Sequence, residues 1–124
     1  MNTIYALWTS VTFSIWTSKL CKLGKFSVDH IINATLAGGV MIAASANLFT
    51  IIYPSFIIGA LAGIWSTISF NFFAPCFPKW KLYDIRGVMH LHGTVGIFGG
   101  IISSIVIATI KDHYGSSTEK YFPY

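Results

Sequence analysis

The sequence predicts an all-α fold, a polytopic transmembrane helix bundle of four spans, and three observations lead to this. Of the 124 residues, 54% are hydrophobic and only 10% are charged, whereas a soluble domain carries about 25% charged residues. The charges occur in clusters that leave residues 1–18, 30–78 and 87–110 without Asp, Glu, Lys or Arg. Because one span needs about 20 mostly apolar residues, the middle run fits two helices and the others fit one each.

The four spans follow from the ends of these runs and from the prolines. The first is not an ordinary signal peptide, because Lys19 follows its apolar run and no positive charge precedes it. Pro54 suits the first turn of a helix, so a turn near 47–53 divides the long run. Pro75 and Pro78 end the third span. The predicted spans of this single domain, residues 1–124, are 2–20, 30–48, 54–74 and 87–110.

Charge distribution predicts the orientation of these spans. Antiparallel spans place loops 19–29 and 75–86 on one side, and these loops hold six of the eight Lys and Arg residues. Positively charged loops remain in the cytoplasm, so both termini are predicted to lie outside. A helical bundle in water is the alternative, but its helices would need polar faces wider than these runs offer. Eight cations are too few for a nucleic-acid-binding face.

Small and hydroxyl residues predict close helix packing. Gly59 with Gly63, and Gly96 with Gly100, form GxxxG pairs in the third and fourth spans. Residues of this size let helix backbones approach each other in a membrane. The first span has a stripe of hydroxyl side chains, predicted to face other helices, at Thr3, Ser10, Ser14 and Thr17.

Ionisable groups within or beside a span are the candidate functional residues, because burying them in a membrane is expensive. They are Asp84, His90 and His92. On a helix, two residues rotate by about 200°, so His90 and His92 face nearly opposite ways and a shared metal is not expected. Asp84 has an ordinary alternative role at a helix N-terminus, and His92 has one as a core histidine bonded to a neighbouring helix. An imidazole in an apolar conduit suits a small, proton-labile solute.

Three ordered motifs resemble those of Rhesus (Rh) glycoproteins in the ammonium transporter (Amt/Rh) family. Residues 33–40 read NATLAGGV, which matches the family's own segment. Residues 58–63 read IGALAG, similar to the family's IIGALAG-type segment. Residues 84–96 read DIRGVMHLHGTVG and resemble the family's DTCGVHNLHGMPG. The resemblance covers residues 2–110.

The resemblance implies a role for each matching residue. Rh proteins are trimers whose subunits carry ammonia through a narrow apolar pore lined by two histidines, one from each inverted repeat. His92 matches the second of these, and Asp84 matches the aspartate eight positions earlier. Asn33 matches the asparagine of NATLAGGV, and His90 stands where the third motif has asparagine; a position at the vestibule or in helix packing is expected for both. Other departures are Met89 for histidine, Arg86 for cysteine, and Thr94-Val95 for the Met-Pro pair.

The resemblance also indicates what the whole protein does. Four spans match the second half of a family that has eleven or twelve, so the chain is expected to be a truncated or partial Rh-type channel. The implied function is transport of ammonia or ammonium, with carbon dioxide as a further solute, across the plasma membrane. The helices are expected to lie in a lipid bilayer, and the complete protein is expected to form a homotrimer or an Rh hetero-oligomer. The alternative is a non-conducting subunit that packs on intact Rh proteins. No enzymatic chemistry, cofactor, metal or nucleic-acid partner is expected, since paired carboxylates, a nucleophile elbow and a ligand cluster are missing from the sequence.

Overall fold

A computed structural model describes residues 1–21, 28–49, 51–73, 76 and 87–114, and it is helical without strands over these ranges. The elements are α1 (Asn2–Cys21), α2 (Val28–Ile42), α3 (Tyr53–Phe72), a π-helical turn (Met89–Gly93) and α4 (Thr94–Tyr114).

The helices alternate in direction along the chain. On α1 and α3, Ala6 lies opposite Gly59 and Ser10 lies opposite Gly63, so these two helices run parallel. The Ser10 hydroxyl bonds to Ala34 of α2, whereas Asn2, two turns earlier on α1, bonds to Ala46 just beyond the end of α2, so α2 runs the other way. Helix α4 runs parallel to α2, since Gly96 and Gly99 lie beside Val40 and Met41. The predicted alternation is confirmed: the ends joined by 22–27 and those joined by 74–86 lie on one side of the bundle.

Close backbone contact between α1 and α3 forms the centre of the bundle. A Cβ atom added to Gly63 would overlap the carbonyl oxygen of Ser10, and one added to Gly59 would overlap that of Ala6. Both glycines, with Ala6 and Ser10, are buried. The predicted role of this GxxxG pair is confirmed, because only a residue without a side chain fits at this separation.

Buried hydroxyls connect α1 with its two neighbours. The Ser10 hydroxyl donates to the carbonyl oxygen of Ala34. The Thr67 hydroxyl donates to the Gly63 carbonyl oxygen at 2.9 Å and shares a hydrogen bond with the Ser14 hydroxyl at 2.8 Å. The hydroxyl-stripe prediction is confirmed at Ser10 and Ser14. It is wrong at Thr3, which is exposed in the described structure.

At Thr17 the stripe makes a different contact. Its hydroxyl donates to the carbonyl oxygen of Phe13 in its own helix, at 2.8 Å. Hydroxyls in helices commonly bond back one turn in this way. Thr17 therefore does not link helices as Ser10 and Ser14 do.

Helix α4 packs through glycine differently from the prediction. Gly100 has no neighbouring atom within 4 Å of an added Cβ, and for Gly96 the one such atom lies 4.0 Å away on Val40. The prediction of a close GxxxG contact at these two residues is therefore wrong within the described structure. Gly99 makes the close approach, with its added Cβ 2.7 Å from the Met41 carbonyl oxygen. Ser103 extends this contact by donating to the carbonyl oxygen of Ala44 at 3.3 Å.

The second predicted span, 30–48, is too long at its C-terminal end. Helix α2 stops at Ile42, and 43–48 form successive turns. The amides of Ser45 and Leu48 donate three residues back, to the carbonyl oxygens of Ile42 and Ser45. The turns contain neither glycine nor proline, so composition alone did not reveal them. The Asn2 side chain holds these turns in place. Its amide nitrogen donates to the carbonyl oxygens of Ala46 at 2.9 Å and Phe49 at 2.7 Å.

The remaining boundaries differ less from the prediction. Helix α3 begins at Tyr53 with Pro54 in its first turn, as predicted. The fourth span, predicted over 87–110, begins with the π-helical turn and extends to Tyr114.

Length and composition identify fewer spans than the four predicted. Among the described residues, Tyr53–Phe72 and Leu91–Thr109 are long and apolar enough to cross a membrane. The apolar part of α2, Ile31–Ile42, is shorter. Helix α1 has 20 residues but seven are Thr or Ser, as its sequence NTIYALWTSVTFSIWTSKLC shows. The four-span count is therefore not confirmed by these criteria.

We predict that Gly63→Ala destabilises the bundle while Gly100→Ala does not. The new methyl at position 63 meets backbone, which cannot rotate away, and overpacking of this kind costs about 1–3 kcal/mol. At exposed position 100 the same change should be neutral or stabilise by up to about 1 kcal/mol, because alanine favours helix. Unfolding of the purified chain in mixed micelles measures both. Equal effects of the two substitutions would contradict the packing described for Gly63.

Candidate functional site

The predicted functional histidines lie on a π-helical turn. Met89–Gly93 adopts this conformation, and the amide of Thr94 donates to the carbonyl oxygen of Met89, five residues earlier. A single π turn within a helix is rare and frequently marks a functional site. The local conformation thus agrees with the sequence argument that singled out this segment.

Gly87, two residues before the π turn, has a backbone conformation suited to glycine. Its φ is +68°, in the left-handed region that costs other residues roughly 1–2 kcal/mol. A Cβ added there would lie 2.5 Å from Cε2 of Phe70 on α3. The Gly87 carbonyl oxygen accepts a hydrogen bond from the Leu91 amide at 2.9 Å. This bond connects the residue before the π turn with the middle of the turn.

His92 faces away from the packed helices. Its neighbour Leu91 is 5% exposed and Val95 is 1% exposed, and both belong to the hydrophobic core formed with α2 and α3. His92 itself is exposed. The turn therefore buries apolar side chains on one side and presents the imidazole on the outer surface of this bundle.

Asn33 lies in an open cavity beside the same turn. The cavity has a volume of about 490 Å³ and is lined by residues of α2, α3 and the π segment: Asp29, Ile32, Asn33, Leu36, Phe70, Val88 and Leu91. Asn33 is half-buried, and Asp29 is one helical turn away on the same face. The structure thus brings Asn33 close to the segment that carries His92, although His92 is not part of the lining.

The other two predicted site residues are less fully defined. Asp84 lies outside the described residues. The backbone of His90 belongs to the π turn, while its side chain lies outside the described structure. The rotation expected between His90 and His92 assumed an α-helix, and the wider π turn replaces it.

Sequence reasoning missed two features of this region. Asp29 and Phe70 line the cavity, and the four-residue spacing of Asp29 and Asn33 was the signal available for the first of them. Trp65 on α3 donates its indole N–H to the Thr94 hydroxyl at 3.2 Å. No local pattern predicts this second contact, because the two residues come from different helices.

An apolar cavity lies behind Trp65. It has a volume of about 310 Å³ and is lined by Met41, Leu61, Ile64, Trp65, Phe98 and Ile102. The Phe98 ring meets the Trp65 indole edge-on, with ring centroids 4.7 Å apart. Trp65 therefore packs against α4 through its ring while its polar edge reaches Thr94.

Comparison with known proteins covers nearly the whole chain. The Ammonium Transporter Family model matches residues 1–122. Ammonium transporter Rh type B of Sus scrofa is 37% identical over 127 residues, which are 99% of this chain and 28% of the relative. Ammonium transporter Rh type A of Bos taurus is 39% identical over 110 residues, 87% of this chain and 26% of the relative.

A solved structure is similar in fold as well as in sequence. It comes from work on Nitrosomonas europaea Rh50 and the mechanism of conduction by the Rhesus protein family of channels. The TM-score is 0.81 at 36% identity, over 85% of this chain and 28% of that one. This chain therefore spans between a quarter and a third of the length of the proteins it matches.

We predict that Gly87→Ala loosens the π turn. The left-handed backbone and the overlap with Phe70 should together destabilise it by about 1–2 kcal/mol or more. Amide hydrogen exchange at Leu91, whose N–H donates to Gly87, should then become faster. Gly96→Ala is the matched control, because its added Cβ makes ordinary contact with Val40 at 4.0 Å. Unchanged Leu91 exchange in the Gly87 variant would count against the prediction.

Proposed function

Because the chain belongs to the ammonium transporter family, we propose that it forms part of an Rh-type channel that carries ammonia or ammonium across a membrane. The resemblance drawn from the three motifs is confirmed by the family match. The observation that carries the proposal is the family match, which covers residues 1–122. Within this range His92 is exposed on a π turn. The matched relatives are more than three times longer, so transport is proposed for the complete channel.

The arrangement of α1 supports a membrane environment for all four helices. Its buried residues are small or carry hydroxyls, including Ser10, Ser14 and Ser18. Its exposed residues include Trp8 at 68%, Trp16 at 71% and Leu20 at 78%. Water would favour the opposite arrangement, whereas lipid favours apolar residues outside and bonded polar groups inside. This arrangement supports the proposal that α1 spans the membrane with α2, α3 and α4, although its composition alone falls short.

The same arrangement supports the proposed orientation. Segments 19–29 and 75–86 include the connections on one side of the bundle and carry six of the eight Lys and Arg residues. By the positive-inside rule this side is cytoplasmic. The proposed location is the plasma membrane, and the proposed assembly is a trimer of complete subunits.

His92 is proposed to line the pore of the complete channel. An imidazole both donates and accepts hydrogen bonds, so it replaces part of the hydration that a small polar solute loses on entering an apolar passage. A neutral molecule such as ammonia loses much less hydration energy than an ion does. The site therefore favours passage of the neutral species, with the proton left behind. Carbon dioxide, which is also small and neutral, is a further proposed solute.

The remaining predicted residues are proposed to act around the pore. Asp84 would lie at the cytoplasmic end of the fourth span and His90 at the vestibule. Asn33 lines the open cavity beside the π turn and supports the packing of α2 there. No catalytic step is proposed, since the relatives are named as transporters.

Transport can be tested in a chimera. Residues 1–124 replace the matching segment of Ammonium transporter Rh type B of Sus scrofa, and the product is expressed in yeast without its own ammonium transporters. We expect uptake of labelled methylammonium, and we expect His92→Ala to lower it. Loss of an interaction that lowers the barrier by about 1.4 kcal/mol corresponds to about tenfold in rate.

Ser104→Ala is the control for that experiment. Ser104 is exposed on the same helix and its hydroxyl bonds to the Gly100 carbonyl oxygen at 2.9 Å. This variant should transport like the unmodified chimera. A chimera that reaches the membrane but takes up no methylammonium would refute the proposal. Association of the isolated chain with intact Rh proteins, with no effect of His92→Ala on their flux, would instead support a non-conducting subunit.

Membrane embedding of α1 can be tested by fluorescence. In a variant that keeps Trp16 and replaces the other three tryptophans with phenylalanine, we expect strong quenching by brominated lipids, because the exposed indole faces the acyl chains. A variant that keeps Trp65, which is half-buried between α3 and α4, should be quenched less. Quenching of Trp16 by aqueous acrylamide, with none by brominated lipid, would contradict a lipid-facing α1.

A further inference from the structure

Trp65 connects α3 to the segment that carries His92. Its indole N–H donates to the hydroxyl of Thr94 at 3.2 Å. The edge of one ring meets the face of the other where Phe98 of α4 packs against the indole. These two contacts hold the Trp65 ring between the π turn and the first turns of α4.

Thr94 occupies the position at which the π turn becomes α4. Its backbone N–H donates to the carbonyl oxygen of Met89, which closes the wide turn around His92. Its side chain accepts from Trp65 on a different helix. Thr94, two positions after His92 in the chain, therefore couples the geometry of the turn to the position of α3.

The hydroxyl that accepts this bond is a departure from the family motif. Thr94 and Val95 stand where the quoted family motif has methionine and proline. Threonine supplies a hydroxyl acceptor for the indole, and valine leaves the backbone able to donate a hydrogen bond, as proline does not. Val95 is 1% exposed and packs in the core, so the residue after Thr94 is also held firmly.

We propose that Trp65 and Thr94 are positioning residues that set the direction of the His92 imidazole through the π turn. The proposal rests on the proposed pore role of His92. Without the indole–hydroxyl bond, α3 loses its hydrogen bond to the junction, and the turn can adopt regular α-helical hydrogen bonding. That change moves each residue before Thr94 around the helix axis, and the imidazole moves with them.

Nuclear magnetic resonance of the isotopically labelled chain in lipid nanodiscs tests this directly. The chain is labelled at histidine, and the ring signals of His92 are identified from their loss in His92→Gln. Thr94→Val, which keeps the shape of the side chain and removes the hydroxyl, should shift the His92 ring signals. Thr94→Ser keeps the hydroxyl and should restore them to their original positions. Trp65→Phe, which removes the donor, should produce the same shift as Thr94→Val.

A double variant separates one shared bond from two independent effects. If the two residues act through their mutual hydrogen bond, combining Trp65→Phe with Thr94→Val shifts the signals no further than either alone. Matched controls are Trp16→Phe and Thr12→Val, because Trp16 is exposed and the Thr12 hydroxyl bonds to its own helix at Trp8. Neither control should move the His92 signals.

Three results would overturn the positioning role. They are unchanged His92 signals in Thr94→Val, equal shifts in Thr94→Val and Thr94→Ser, or additive shifts in the double variant. These spectra report imidazole geometry whether or not the chain forms a conducting channel. Failure of the positioning proposal is therefore distinguishable from failure of the transport proposal, which the methylammonium experiment tests separately.

Discussion

The close approach of α1 to α3 is the constraint on which the rest of this bundle depends. Gly59 and Gly63 leave no room for side chains against the backbone of Ala6 and Ser10. At this distance the Ser14 hydroxyl reaches Thr67 on the facing helix. Helix α2 packs against Ala6 and Ser10 of α1 through Gly38, and α4 packs against α2 at Met41. The π turn and its histidine are positioned by this sequence of contacts, beginning with α1 and α3.

Much of this architecture could be predicted because it follows from local composition. Clustered charges separated the helices and located the two loops on one side. Pro54 identified the start of α3, and glycine spacing identified the contact at Gly63. These features depend on short stretches of chain whose physical preferences are strong, such as the fixed φ of proline and the small size of glycine.

The features that escaped prediction depend on several helices at once. Gly99, and not the paired Gly96 and Gly100, meets α2, because the rotation of α4 is set by Leu91 and Val95 in the core. The indole of Trp65 finds Thr94 only after α3 and α4 have packed. His92 could be singled out from its surroundings in the sequence, whereas the π conformation beneath it could not. Contacts with α3 flank this turn on both sides, Gly87 against Phe70 before it and Thr94 against Trp65 after it, and neither is visible in the local sequence.

Helix α1 buries its serines and exposes its large apolar side chains, and this has a consequence for how the proposed membrane bundle would assemble. Its serines find their partners on α2 and α3, which are synthesised later, so α1 alone would enter lipid with these hydroxyls confined to its own backbone. Its composition also makes it a weak candidate for insertion by itself. On the proposal that all four helices cross the membrane, α1 is therefore expected to settle in the bilayer together with α2 and α3.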